Sequence, residues 1–372
     1  MNVSSVSFLR NLVLVWFLIV LLMPSSCHAL VGDLKFPQFP WNNKNGSGSS
    51  ALQPGDTIAV IGASGNVGKL VALRLADTYK VHGVVRDASS VAKFLTPEDE
   101  NSNQKKREIT LYETNLIDEM MAKSTTTTAA SSYPESLRAA LQTANAVIIC
   151  TGTTAFPTKA WTKSASGDDE DGRGGSEGVA KDVVQALVEN SFSVQEALAA
   201  LDAQGLNTPN NVDAQATAYL MQVWDAVCTV RQKRIIMLSS IGVQRRTSMP
   251  FPILNACGVL DAKAAGEAAI QQAATAQNYA YTIVRPGQLF GGPYDNNYYL
   301  GTLFQLDKDV TTQNIQVAPG DTLLGDTLRS TLAEITAQVC EQDTCRDVEF
   351  AVINTKGERP STETVQQQLE AL

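Results

Sequence analysis

Three glycines, Gly62, Gly65 and Gly68, follow the apolar run Thr57-Ile-Ala-Val-Ile61 and lead into a helical pattern over Leu70–Leu75. Glycines so placed after a strand can build a phosphate cradle. The first permits a tight turn, the second lets backbone N–H groups approach a pyrophosphate, and the third lets helix and strand pack closely. The whole cradle reads Gly62-Ala63-Ser64-Gly65-Asn66-Val67-Gly68, and the start of the helix behind it attracts negative charge. A second strand, Val81–Val85, stands at the distance expected of a βαβ unit and ends in Arg86-Asp87. A carboxylate at that strand end accepts both ribose hydroxyls and selects NAD, whereas an arginine pairs with a 2′-phosphate. Arg86 therefore points to NADP(H) over NAD. The alternative is an exposed arginine whose field Asp87 partly cancels.

The elements that must hold this cradle recur along the chain. Strands are expected at Ile109–Tyr112, Ala146–Cys150, Arg234–Leu238 and Tyr281–Val284, separated by helices at Pro134–Thr143, Val212–Val230 and Leu260–Ala276. Strands separated by helices imply parallel crossovers, so the expected fold is α/β, a doubly wound parallel sheet of the Rossmann type. A helix over Asp326–Val339 and a strand over Val348–Ile353 are expected to form a small C-terminal cap above the sheet's C-terminal edge. This domain is placed at residues 56–358, with a tail over 359–372. Insertions interrupt it at about 119–133, where four threonines run together, and at 163–208. The second insertion opens on the acidic, glycine-rich stretch Gly167–Gly178, which reads as a solvated loop, and continues into helical spacing over Val179–Leu206.

Composition narrows the function. The net charge of −9 and pI near 4.9, with no basic block, exclude a nucleic-acid reader. Arg10 precedes the apolar run Leu12–Met23, which falls short of a bilayer span, and Cys27-His28-Ala29 offers a cleavage site. Residues 1–29 thus read as a signal peptide, with a retained membrane anchor as the alternative. Residues 30–55, with the single acid Asp33, read as a linker or transit segment. A signal peptide followed by an acid-poor segment addresses the plastid in algae whose plastids lie within the endomembrane system, and secretion is the alternative. No metal-ligand spacing appears, and His28 and His82 are the only histidines. Cys340 and Cys345 alone could form a redox pair or disulfide, although Glu341 and Asp343 beside them would raise a thiol pKa.

Several phrases resemble the atypical short-chain dehydrogenase/reductase superfamily in its NmrA-like branch, most closely the plant and algal plastid members. They are Gly62–Gly68, Val85-Arg86, Cys150-Thr-Gly-Thr-Thr154, Leu238-Ser-Ser-Ile-Gly242, Gly258-Val-Leu-Asp-Ala-Lys263 with Glu267, and Ile283-Val-Arg-Pro-Gly287. The resemblance implies that Thr151 and Gly152 lie beside the ribose and nicotinamide, and that Asn115 and Leu116 contact the adenine. It places the catalytic serine at Ser240, or at Ser239, and Pro286-Gly287 near the nicotinamide ring. Lys263 falls where a lysine binds the nicotinamide ribose, although a lysine on this helix could instead face solvent.

One departure limits the chemistry. Catalytic members carry a tyrosine four residues before the lysine, one helical turn away, where the ammonium helps its phenol exchange a proton. Val259 stands there and transfers no proton. Tyr294, Tyr298 and Tyr299, just past the sixth strand, are alternative donors or lid aromatics. Two functions fit: an NADPH-dependent reductase of a small apolar, quinone-like acceptor, or a non-catalytic NADP(H)-dependent sensing or assembly factor that acts on a protein partner.

Overall fold

The computed structural model describes residues 49–96, 107–122, 130–163, 176–291 and 311–372. The leader at 1–29, most of the 30–55 segment, most of the acidic loop and the three tyrosines at 294, 298 and 299 lie outside the described residues.

In chain order the elements are β1 (Thr57–Ile61), α1 (Gly68–Leu75), β2 (Lys80–Val85), α2 (Ser89–Leu95), β3 (Ile109–Glu113), α3 (Leu116–Ala122), α4 (Glu135–Gln142) and β4 (Ala146–Ile149). They continue with α5 (Ser176–Glu189), α6 (Val194–Ala203), a π-helical turn (Asn210–Gln215), α7 (Ala216–Val227), β5 (Arg234–Leu238), α8 (Val259–Gln277), β6 (Ala280–Pro286) and β7 (Gln288–Phe290). The chain closes with β8 (Asn314–Pro319), β9 (Asp326–Leu328), α9 (Arg329–Glu341), β10 (Val348–Thr355) and α10 (Thr362–Glu370).

The sheet runs β3-β2-β1-β4-β5-β6-β10, with every neighbouring pair parallel, and β8 and β9 then pair antiparallel with β10. The 3-2-1-4-5-6 order is that of a Rossmann sheet, whose ligand crevice opens beyond the carboxyl ends of the strands where the order reverses, at β1 and β4. Strand β1 is buried throughout because both sheet faces are covered. Its side chains alternate between two cores. Ile58 and Val60 pack with Val71 and Leu75 of α1, Leu332 and Ile335 of α9, and Leu369 of α10. Ala59 and Ile61 pack with Leu137 of α4, Trp224 of α7 and Ile270 of α8.

Four expectations are corrected. The C-terminal region does not form only a cap: β10 is apolar and buried over Phe350–Ile353, so it enters the sheet beside β6. The helix expected from Asp326 begins at Arg329, because residues 326–328 pair with β7 as β9 and the Leu328 N–H donates to the Asn354 side chain. The 359–372 tail is part of the domain: Ser361 caps α10, and Val365 and Leu369 are buried in the main core. Residues 49–52, expected within the linker, are also fastened down. The Asp343 carboxylate accepts hydrogen bonds from Ser49 Oγ, Ser50 N and Oγ, and Ala51 N, which together hold its pKa down to about 2. Leu52 N donates to the Cys340 carbonyl, and fully buried Arg234 finds its acceptors in the Val339 carbonyl and Ser50 Oγ. A buried guanidinium demands such partners, and the 49–52 segment supplies one. Cys340 and Cys345 are both free and buried.

Within the second insertion the helical spacing expected over Val179–Leu206 is two helices, α5 and α6, with a small core around Trp161, Val183, Ala197 and Leu201. The expected single helix over Val212–Val230 is split. Residues 210–215 take the wider π-helical turn, α7 follows, and the helix ends before Cys228.

Candidate functional site

The cradle is built as its glycines require. Gly62 has φ +78° and Gly62 N and Ala63 N both donate to the Val84 carbonyl, which ties the turn to β2. A Cβ on Gly62 would stand 2.9 Å from Thr151 Cγ2 and 3.2 Å from Thr151 N, so this glycine also allows the β1 and β4 ends to meet. Gly65 N donates to Gly62 O. A Cβ on Gly68 would lie only 2.1 Å from that same carbonyl, so α1 can start where it does only with glycine there. The N–H groups of Asn66 and Val67, ahead of the first helical bonds, have no acceptor among the described residues. Val67, at the N-cap position, supplies no side-chain cap. Unfilled amides at a helix start are an anion site.

A groove runs from this turn across the strand ends. It is lined by Gly62, Ser64 and Gly65 of the cradle, Arg86 after β2, Asn115 and Leu116 after β3, and Thr151 and Gly152 after β4. Ala63 and Val67 are buried beneath it, and Asn66 sits in the turn beside it. Arg86 is exposed at the rim and makes no hydrogen bond or ion pair among the described residues. Its neighbour Asp87 does not compete for it. The Asp87 carboxylate accepts from the N–H groups of Ser89 and Ser90 and from Ser89 Oγ at the start of α2, and these bonds lower its pKa. Glu113 is occupied by Ala88 N, and Asp118 by the Asn115 amide.

Lys263, on α8, lies beside the groove without being part of its lining. Its Nζ lies 2.8 Å from Asp213 Oδ1, and a Cβ on Gly152 would stand 3.4 Å from that Nζ, so the buried ammonium sits next to Gly152 and does not face solvent. Burial pushes the Asp213 carboxyl pKa up, and Lys263 pulls it back only in part.

Four expected residues do not join this set. Ser240, which donates to the neighbouring Ile241 carbonyl, is absent from the groove lining, as are Pro286 and Gly287. Ser239 is buried and donates to Glu267, inside a network in which Arg285 bridges Glu267 and Glu349. Gly287 has a packing reason instead: a Cβ there would stand 2.0 Å from the Gly325 carbonyl. Val259 is buried in an apolar cluster with Ile241, Val243, Phe251 and Ile353.

The sequence reading missed Asp213 and also the wall that the second insertion lends the groove. Asn207, whose side chain donates to the Thr162 carbonyl, lines it with Val212 and Ala216, and Thr153 Oγ1 donates to Asn207 O at 3.0 Å. Gly266 is what admits Asp213 here, because its absent side chain lets the π-helical turn press onto α8: a Cβ there would lie 2.3 Å from the Asp213 carbonyl.

A family model described as NAD(P)H-binding matches residues 113–322, more than half of the chain. The chain belongs to this NAD(P)H-binding family. An NmrA-like family model matches residues 54–160, which include the cradle and Arg86. No curated protein matches the chain. Among solved structures, the oxidoreductase ylbE from Lactococcus lactis is 15% identical, with a TM-score of 0.48 over 85% of this chain and 96% of that one. ChuY, an anaerobillin reductase from Escherichia coli O157:H7, is 15% identical, with a TM-score of 0.46 over 82% of this chain and all of that one. Gre2 from Candida albicans in complex with NADPH is 12% identical, with a TM-score of 0.47 over 81% of this chain and 78% of that one. At these identities the family's chemistry rests on this chain's own residues. The glycine turn, the vacant amides and the unpartnered Arg86 fit a pyridine dinucleotide.

Proposed function

We propose that the protein binds NADP(H) and reduces a small apolar, quinone-like acceptor. The observation that carries the cofactor choice is Arg86, a guanidinium at the groove rim without an ion pair, next to an acid committed to capping α2. A 2′-phosphate there gains charge-assisted hydrogen bonds that a ribose hydroxyl does not. Arg86→Ala is expected to weaken NADPH binding roughly ten- to hundredfold, the loss of about 1.5–3 kcal/mol for bonds to a charged group, and to leave NADH within about twofold. Titration of both cofactors by protein fluorescence measures this, and an equal loss for both overturns the assignment.

The bound cofactor would supply a hydride, and the protein's part is then to orient it and exclude water. A quinone that receives a hydride needs one further proton, which water can supply, so the valine at position 259 is no obstacle to this substrate class. Purified protein is expected to oxidise NADPH with at least one member of a quinone panel and to ignore simple aldehydes, whose reduction needs a positioned acid. Turnover is followed by loss of NADPH absorbance.

A second reading has a specific observation behind it. Val259, at the tyrosine position, is buried in an apolar cluster and Ser239 is committed to Glu267, so neither is free to move a proton. NADPH binding without turnover on any acceptor would favour an NADP(H)-dependent sensing or assembly factor. The leader reading adds a compartment to both proposals, an algal plastid or the secretory route.

A further inference from the structure

Next to Gly152 lies a buried ion pair whose acid neither the cradle nor the family likeness accounts for. Asp213 sits in the π-helical turn ahead of α7, is 1% exposed, and uses only one carboxylate oxygen: Oδ1 accepts from Lys263, while Oδ2 is buried without a hydrogen-bond partner. Lys263 has an ammonium with three donors, one of them taken by Asp213. Gly152 is the groove-lining residue next to this pair, where a Cβ would make ordinary contacts at 3.4 Å to Nζ and 3.6 Å to Asp213 Oδ1. Gly266, one turn beyond Lys263 on α8, is the residue that lets the Asp213 backbone come this close. One close approach, at Gly266, and one widened helical turn therefore converge on a single charged contact next to Gly152 of the groove lining. A π-helical turn inserts an extra residue into the helix and recurs at functional sites.

We propose that Asp213 is a positioning residue for the cofactor site: it holds the Lys263 ammonium under Gly152, where its two remaining N–H donors serve the hydroxyls of the nicotinamide-side ribose. A free lysine in a buried site would lose its charge or swing to solvent, and an opposed carboxylate prevents both. The pair also replaces what position 259 lacks. In a tyrosine-lysine arrangement the phenol helps set the lysine's place, whereas here an acid on a different element does so. The inference rests on the NADP(H) reading above and concerns the half of the dinucleotide that Arg86 does not touch.

The experiment separates the two halves. Wild type, Asp213→Asn, Lys263→Met and the double variant are titrated with NADPH and with adenosine 2′,5′-bisphosphate, which carries the 2′-phosphate but lacks the nicotinamide ribose. The Asn variant is expected to bind NADPH at least tenfold more weakly and the bisphosphate within twofold, and this unchanged affinity shows that the fold is intact. Because Asp213 acts through Lys263, adding Asp213→Asn to Lys263→Met is expected to change NADPH affinity by less than twofold. Should the Asn variant not fold, Asp213→Glu moves the carboxylate by one methylene and is expected to lose at least threefold for NADPH alone. The inference is overturned if the folded variant binds NADPH as tightly as wild type, if both ligands weaken equally, or if the two substitutions add in full. Wild-type protein that binds neither ligand would instead remove the NADP(H) reading itself.

Discussion

Gly68→Ala is expected to abolish measurable NADP(H) binding and to lower the stability of the domain. The added Cβ would lie 2.1 Å from Gly62 O, 2.9 Å from Gly62 C and 3.0 Å from Ala63 Cα. All three are backbone atoms of the turn, so no side-chain rotation relieves the clash, and either α1 shifts outward or the turn opens. Either movement displaces the vacant amides of Asn66 and Val67 from the groove. Overpacking of this kind costs about 1–3 kcal/mol of stability and more where backbone must move. Affinity is expected to drop by more than a hundredfold, because the pyrophosphate contact depends on the placement of those amides. Gly65→Ala is the internal control: its Cβ would meet only Gly62 O, at 3.2 Å, so its effect is expected to be smaller. Calorimetric titration with NADPH measures both variants. Binding by the Gly68 variant within threefold of wild type would show that the turn does not wrap a pyrophosphate.

Glu267→Ala is expected to have the largest effect on stability, about 3 kcal/mol, read from the urea midpoint. Glu267 holds Arg285 through both carboxylate oxygens, at 3.0 Å to Nε and 2.7 Å to the second terminal nitrogen, and also accepts from Ser239. Burial works against the Arg285 charge, but Glu267 and Glu349 outweigh it, and the guanidinium pKa is raised. Arg285 is 1% exposed and one of its terminal nitrogens already lacks a partner. Removing Glu267 leaves that charge with Glu349 alone and strands the Ser239 hydroxyl. Glu267→Gln keeps the shape and one acceptor, so it is expected to fall between wild type and the alanine variant. If the alanine variant unfolds at the wild-type urea midpoint, the network is not what holds β6 and α8 together.

How much of this was legible depended on how local each cause is. The glycine turn could be read because its requirement, backbone where a side chain would collide, is met within seven residues. The strands of the sheet could be read because Ile58–Ile61 and Ala146–Ile149 are continuous apolar runs, as strands covered on both faces must be. Arg86 could be placed at the groove because the end of β2 fixes it, but the commitment of Asp87 to α2 needed coordinates. Asp213 was not legible: it is joined to Lys263 across fifty positions by a widened turn, and in a sequence it resembles any acid near a helix start. The helix α10 was missed because Val365 and Leu369 are its only strongly buried positions in a glutamine-rich stretch. The serine at 240 was assigned from the resemblance of Leu238–Gly242, and such a match does not say which way a hydroxyl turns.

The clasp that Asp343 and Arg234 make with residues 49–52 sets a direction for the whole molecule. Arg234 opens β5, and Cys340 lies near the end of α9, so the clasp sits at the amino edge of the parallel strands, whereas the groove opens at their carboxyl edge. Five residues of strand separate the two edges, a thickness of roughly 15 Å. Residue 49, where the described chain begins, therefore lies on the edge of the sheet opposite the groove.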